Sequence, residues 1–191
     1  GSIPSAGSLT LDGVAVTVNQ FISATDITSG KLIFTPAANA NGAAYSSFTF
    51  QVQDDGGTAN GGIDLDPSAN TITFDVTSIN DAPAGADKTI TLNEDGAYVL
   101  TLADFGFNDA NDSPANSLFA VKIGSIPSAG SLTLDGVAVT VNQFISATDI
   151  TSGKLVFTPV VNANGGAYSS FTFQVQDDGG TTNGGVDLDP S

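Results

Sequence analysis

The sequence predicts an all-β protein, a two-sheet sandwich carried in a tandem repeat of about 123 residues. Three observations lead there. Apolar and polar residues alternate in segment after segment, and no stretch sustains the 3.6-residue period of a helix. Turn signals rich in Gly, Asn and Asp separate these segments at short intervals, as in two-sheet sandwiches. Finally, Gly1–Ser68 recurs as Gly124–Ser191, shifted by 123 positions. Only six positions differ, Ile33/Val156, Ala37/Val160, Ala38/Val161, Ala43/Gly166, Ala59/Thr182 and Ile63/Val186, all small or volume-similar exchanges. The period is that of a whole domain rather than of a solenoid turn.

Within the unit, Lys88–Leu92, Tyr98–Leu102, Leu118–Ile123, Ser131–Leu134, Val137–Val141, Lys154–Thr158 and Tyr168–Gln176 each read as a half-buried strand. In the longest, Phe171, Phe173 and Val175 face one way and Thr172, Gln174 and Gln176 the other. Leu134-Asp135-Gly136-Val137 sets Asp-Gly between two alternating runs, the strongest short hairpin signal. Ala103–Gly106 and Ser146–Gly153 read as short helical turns or loops.

The repeats are joined at Thr77-Ser78-Ile79-Asn80-Asp81-Ala82-Pro83, between the alternating runs Thr71–Val76 and Lys88–Leu92. Pro83 has no N–H to give a ladder and holds Ala82 extended, so the chain passes this point stretched out. Counting a unit from Asn80, residues 1–79 form the last two-thirds of one repeat. Residues 80–191 form a second that misses the counterpart of Thr71–Val76. An edge left open in this way invites strand exchange between chains.

Composition narrows the function. Cys, His, Met, Trp and Arg are all missing, which removes disulfides, thiolate metal sites and most acid–base and nucleophilic constellations. Paired carboxylates can in principle hydrolyse glycosides, but a single glutamate and aspartates confined to loops look like ion sites, so no enzyme is expected. Four lysines stand against 20 acidic residues, a net charge of −16 that repels nucleic acid and anionic membranes and favours cations. No apolar stretch nears the ~20 residues of a membrane span.

Oxygen-rich clusters supply the candidate ligands. Calcium takes six to eight oxygens from carboxylates, amides and carbonyls. Asp109, Asn111 and Asp112 share one Asn/Ser/Pro-rich loop, and in an extended piece Asp109 and Asn111 face the same side. An Asx turn, with these side chains bonded to their own backbone, is the competing reading. Asp177-Asp178-Gly179 and Asp187-Leu188-Asp189 form a second acidic patch, repeated at Asp54-Asp55 and Asp64-Leu65-Asp66. Asp177 reads as a ligand. Asp187 and Asp189 fit a ligand pair and a solvated loop that blocks edge pairing equally well. Phe105, Phe107, Phe119, Phe157, Phe171 and Phe173 alternate with polar residues and are expected in the core rather than on a sugar platform. Tyr45 and Tyr168 are expected in the core or at its rim.

Five stretches, taken in order, resemble a known family: Asn80-Asp81-Ala82-Pro83, Asn93-Glu94-Asp95-Gly96, Phe107–Asp112, Leu155–Pro159 with Asn162-Ala163-Asn164-Gly165, and Phe171–Gly179. Together they are similar to the bacterial cadherin-like repeats of giant surface adhesins, including RTX-type and VCBS-type proteins. The resemblance implies an extracellular, immunoglobulin/cadherin-like Greek-key sandwich strung in arrays on the bacterial surface, with Ca2+ at the joints and neighbouring repeats as partners. It assigns as metal ligands Asn80, Asp81, Glu94, Asp109, Asn111, Asp112 and Asp177, with Asp54 in the first copy. The linker has fewer acidic residues than an animal cadherin linker, and Asn111 stands where the pattern has Asp. The expected role is a calcium-stiffened extender that spaces an adhesive tip from the cell. The alternative is a sandwich that itself binds a glycan or a surface protein.

Overall fold

A computed structural model describes all of residues 1–191. Most of its regular structure is strand, in several antiparallel sheets, with two five-residue helices. Neither is long and apolar enough to cross a membrane. The chain divides into two compact units, Gly1–Ser78 and Ile79–Ser191.

Unit 1 contains β1 (Ser8–Leu11), β2 (Val14–Ala15), α1 (Ala24–Thr28), β3 (Leu32–Thr35), β4 (Gly42–Phe50) and β5 (Asn70–Val76). β1 pairs with β2 and β3, and β4 pairs with β5 from Phe50↔Asn70 to Gly42↔Val76. Unit 2 contains β6 (Tyr98–Val99), β7 (Leu118–Ile123), β8 (Ser131–Leu134), β9 (Val137–Ala138), β10 (Phe144–Ser146), α2 (Ala147–Thr151), β11 (Leu155–Thr158) and β12 (Phe173–Asp177). Its sheets run β10-β7-β12 and β6-β11-β8-β9.

The Asp-Gly hairpin forms as read. β8 and β9 pair around Asp135 and Gly136, both at positive φ (51° and 78°), the backbone a two-residue type I′ turn needs. The Ser146–Gly153 turn becomes α2, capped by Ser146, whose Oγ accepts from the Asp149 amide at 3.0 Å. Other expectations need correction. Lys88–Leu92 is no strand, because no ladder partner lies beside it. Tyr98–Leu102 keeps only β6 before the chain turns into a short 3₁₀ segment, Leu102–Asp104. Tyr168–Gln176 is ordered as a strand only from Phe173. Phe119 is 59% exposed because the ladder to β12 shifts register there: Gln176 pairs with Ala120 and Asp177 with Leu118, so Phe119 is the unpaired residue of a bulge and drops out of the alternation that buries Val121 and Ile123. The remaining phenylalanines of that set are buried or packed on the core. Tyr45 and Tyr168 are half-buried, each accepting a backbone N–H at 3.1 Å, from Ala37 and Val160.

The repeat supplies its own control. The core cluster lies wholly in unit 2 and centres on Val121, Ile123, Ile145, Ile150, Leu155 and Val175. Ile150 is 1% exposed, whereas Ile27, with the same local sequence and the same helix, is 52% exposed. The difference comes from β7 and the Leu102–Asp104 turn, which pack against α2. Ile150→Ala is therefore expected to destabilise unit 2 by about 2–5 kcal/mol, as for a buried Ile→Ala change. Ile27→Ala should fall within about 0.5 kcal/mol, as at a surface site. Denaturant titration of the two variants compares them directly, and equal losses would contradict the assignment of the core.

Candidate metal centre

The entry segment of unit 2 is held by hydrogen bonds to distant loops. The Asn80 carbonyl accepts from the Val186 amide at 2.9 Å, and Asn80 Nδ2 donates to Val186 O (2.8 Å) and to Asp177 Oδ1 (3.0 Å). The Asp81 amide donates to Asp112 Oδ2 at 2.9 Å. Asn116 Nδ2 donates to Asn80 Oδ1, and its amide donates to Asp109 Oδ2 at 2.5 Å. Asn80, Asp81, Asp109, Asp112 and Asp177 are thereby gathered at one end of the unit, with Asn116 as the link.

Asp177 sits where β12 ends. Its Oδ1 accepts from the Gly179 amide at 2.8 Å, closing an Asx turn. A β-carbon at Gly179 would collide with the side-chain amides of Asn80 and Asn116, so glycine is required there by space. In unit 1, Asp54 makes the same turn onto Gly56 (2.8 Å), but is exposed and meets no counterpart of Asn80 or Asn116.

Two oxygens in this cluster have no partner. Asp109 Oδ1 and Asp177 Oδ2 are buried and accept no hydrogen bond, on residues 7% and 2% exposed. A buried carboxylate oxygen without a donor costs about 1–3 kcal/mol or more. Burial pushes the Asp177 carboxyl above its ordinary 3.8, against the lowering by the Gly179 and Asn80 N–H groups, and the charges of Asp109 and Asp187 add to the rise. Burial likewise raises Asp112, reinforced by Asp109 and Asp81 against the Asp81 amide bond. Orphaned anionic oxygens amid like charges, beside an amide oxygen and carbonyls, suit a hard cation. No three acidic side chains converge tightly enough to hold a metal as they stand.

The remaining ligands expected from the resemblance lie apart. Asn111 is exposed while Asp109 is buried, because the chain bends over residues 111–114 instead of running extended, so Asp109 faces Asp112. Glu94 accepts from Asn164 Nδ2 at 2.7 Å, and neighbouring Asp95 accepts from the Asn162 amide at 2.7 Å; neither bonds to the cluster. Asp187 accepts from Gln176 Nε2 at 3.0 Å. Asp189 is buried for structure. Burial raises its carboxyl, but the amide and hydroxyl of Ser191 and the Gly85 amide outweigh this and hold it below 3.8.

Sequence reading missed Asn116, whose role depends on a loop closing onto Asn80. It also missed buried Asp104, which pairs with Lys88 Nζ at 2.7 Å and accepts from the Thr101 amide and hydroxyl, each at 2.8 Å. The three-residue spacing of Thr101 and Asp104 was the available signal, a capping box.

Compared with protein-family models, curated proteins and solved structures, the chain matches none.

A raised carboxyl favours the folded state below the unfolded value and loses that advantage as pH climbs through the folded value. Asp112 and Asp177 therefore make calcium-free protein less stable as pH rises from 3.8. Asp104 and Asp189, held low, withdraw stability only as pH drops below 3.8, so the windows separate. In chelator the melting midpoint should fall as pH is raised from 3.8 through the folded values of Asp112 and Asp177, and then level off. Asp177→Asn should flatten that slope and the exposed control Asp12→Asn should not; equal slopes would assign the effect to net charge alone.

Proposed function

We propose that this chain is a calcium-stiffened extender repeat of a large secreted bacterial surface adhesin, folded as immunoglobulin/cadherin-like Greek-key sandwiches and spacing an adhesive tip from the cell. The observation that carries the reading is the pair of buried, unpartnered oxygens, Asp109 Oδ1 and Asp177 Oδ2, beside the entry segment of unit 2. Near-identity of the two copies supports a spacer, since a length element gains from sameness. The order of the five resembling stretches supports the family and the extracellular setting.

Asp109, Asp112 and Asp177 supply carboxylate oxygens, and Asp81 and Asn80 add theirs from the entry segment. A bound calcium supplies the positive charge that these oxygens lack. The residues do the rest. Asn80 ties the segment to Val186 and Asp177, and Asp81 ties it to Asp112, so the chain enters unit 2 in a fixed direction. Without a cation, repulsion among the carboxylates works against those bonds. With one, the repulsion is relieved and the direction of entry is held. An array of such repeats is pliable in low calcium and stiff in high calcium.

Calcium should raise the melting midpoint of the chain while magnesium, which demands stricter octahedral geometry, does so much less. At a hundredfold excess over the dissociation constant the gain is about 2.7 kcal/mol. Asp109→Asn combined with Asp177→Asn should remove most of it, and Asp54→Asn should leave it intact. An unchanged midpoint in calcium would sink the proposal. Identical small-angle scattering of a multi-repeat array in calcium and in chelator would sink the stiffening mechanism separately.

A further inference from the structure

Asp109 and Asp177 share one division of labour. Asp109 Oδ2 accepts from the Asn116 amide at 2.5 Å, and Asp177 Oδ1 accepts from the Gly179 amide (2.8 Å) and Asn80 Nδ2 (3.0 Å). Asp109 Oδ1 and Asp177 Oδ2 are left buried and bare. In each carboxylate one oxygen is tied to the scaffold and its fellow is free. A cation spanning the free pair needs two loops, one leading to β7 and one leaving β12, held at a fixed separation.

A single run of hydrogen bonds crosses from one carboxylate to its counterpart. It passes from Asp109 to the Asn116 backbone, from the Asn116 side chain to Asn80 Oδ1, and from Asn80 Nδ2 to Asp177 Oδ1. Asn80 Nδ2 spends its donors on Asp177 and on Val186 O, so its Oδ1 is turned to Asn116. An amide oxygen has two lone pairs, and the bond from Asn116 takes only one of them. Asn116 thus aims Asn80 without exhausting it.

Space enforces the same arrangement. A β-carbon on Gly179 would collide with Asn80 Oδ1 and Asn116 Nδ2. Gly179 is not among the glycines at positive φ, so the backbone there admits alanine. What calls for glycine is room for the amide pair.

We propose, building on the calcium reading above, that Asn116 is the positioning residue of the site. Its side chain sets calcium affinity by holding Asn80, and through it Asp177, in place against Asp109. Partners that orient metal ligands in this way typically cost about 10–100-fold in metal affinity when removed.

Calorimetric titration of the full chain with calcium tests the assignment. Asn116→Ala keeps the backbone N–H to Asp109 and loses only the side chain, and should weaken binding about 10–100-fold. In an Asn80→Ala background the same change should add less than about threefold, since a residue that acts through Asn80 has nothing left to hold. An independent structural contribution would instead multiply with the Asn80 loss. Gly179→Ala keeps every donor and acceptor, fills the space of the amide pair, and should weaken binding at least about tenfold. Gly56→Ala, in the copy of that turn in unit 1, should leave affinity unchanged. If Asn116→Ala loses its cooperative melt in chelator, Gly179→Ala carries the test alone. Wild-type affinity in Asn116→Ala or Gly179→Ala, or losses that multiply in the double variant, would overturn the role of Asn116 and leave calcium binding standing. No calcium binding by the unaltered chain would overturn both.

Discussion

Burial of β7 between β10 and β12 is the interaction on which the rest of unit 2 depends, because it gives the repeat sequence something to close upon. Val121 and Ile123 are fully buried, and Ile145, Ile150 and Val175 pack around them. Each such side chain contributes roughly 1.5–3 kcal/mol when taken wholly out of water. Unit 1 repeats Ile150 and Val175 as Ile27 and Val52, and both are largely exposed where no strand packs on them as β7 packs on α2 and β12. Sequence identity fixes the hairpin, the capped helix and the turns in both units. Burial, and with it stability, is decided by the neighbour.

The acidic end follows from the same closure. Asp109 lies in the loop that leads to β7, Asp177 ends β12, and the pairing of β7 with β12 holds both loops within hydrogen-bond reach of Asn80. Packing thus brings together charges that would otherwise stay apart, and the amides of Asn80 and Asn116 only partly offset them. A neutral Asn between two carboxylates can donate to one and accept from its fellow amide, but it supplies no charge. What the fold leaves unsatisfied, two oxygens out of water with no donor, is the deficit that the proposed cation would fill.

The alternation of apolar residues made β7, β8 and β11 readable, since each is a half-buried strand with its partner in the same unit. Lys88–Leu92 carried the same pattern and forms no strand, because periodicity reports which side chains want burial and not whether a ladder is at hand. The residues of the acidic cluster divide in the same way. Asp177 was legible from Asp-Asp-Gly at the end of a strand, a local feature. Asn116 was not, because its importance arises from a contact 36 positions away, with Asn80. Asn111 was misjudged for a related reason: extended geometry was assumed in a loop that bends, and the bend exchanges Asp112 for Asn111 as the companion of Asp109.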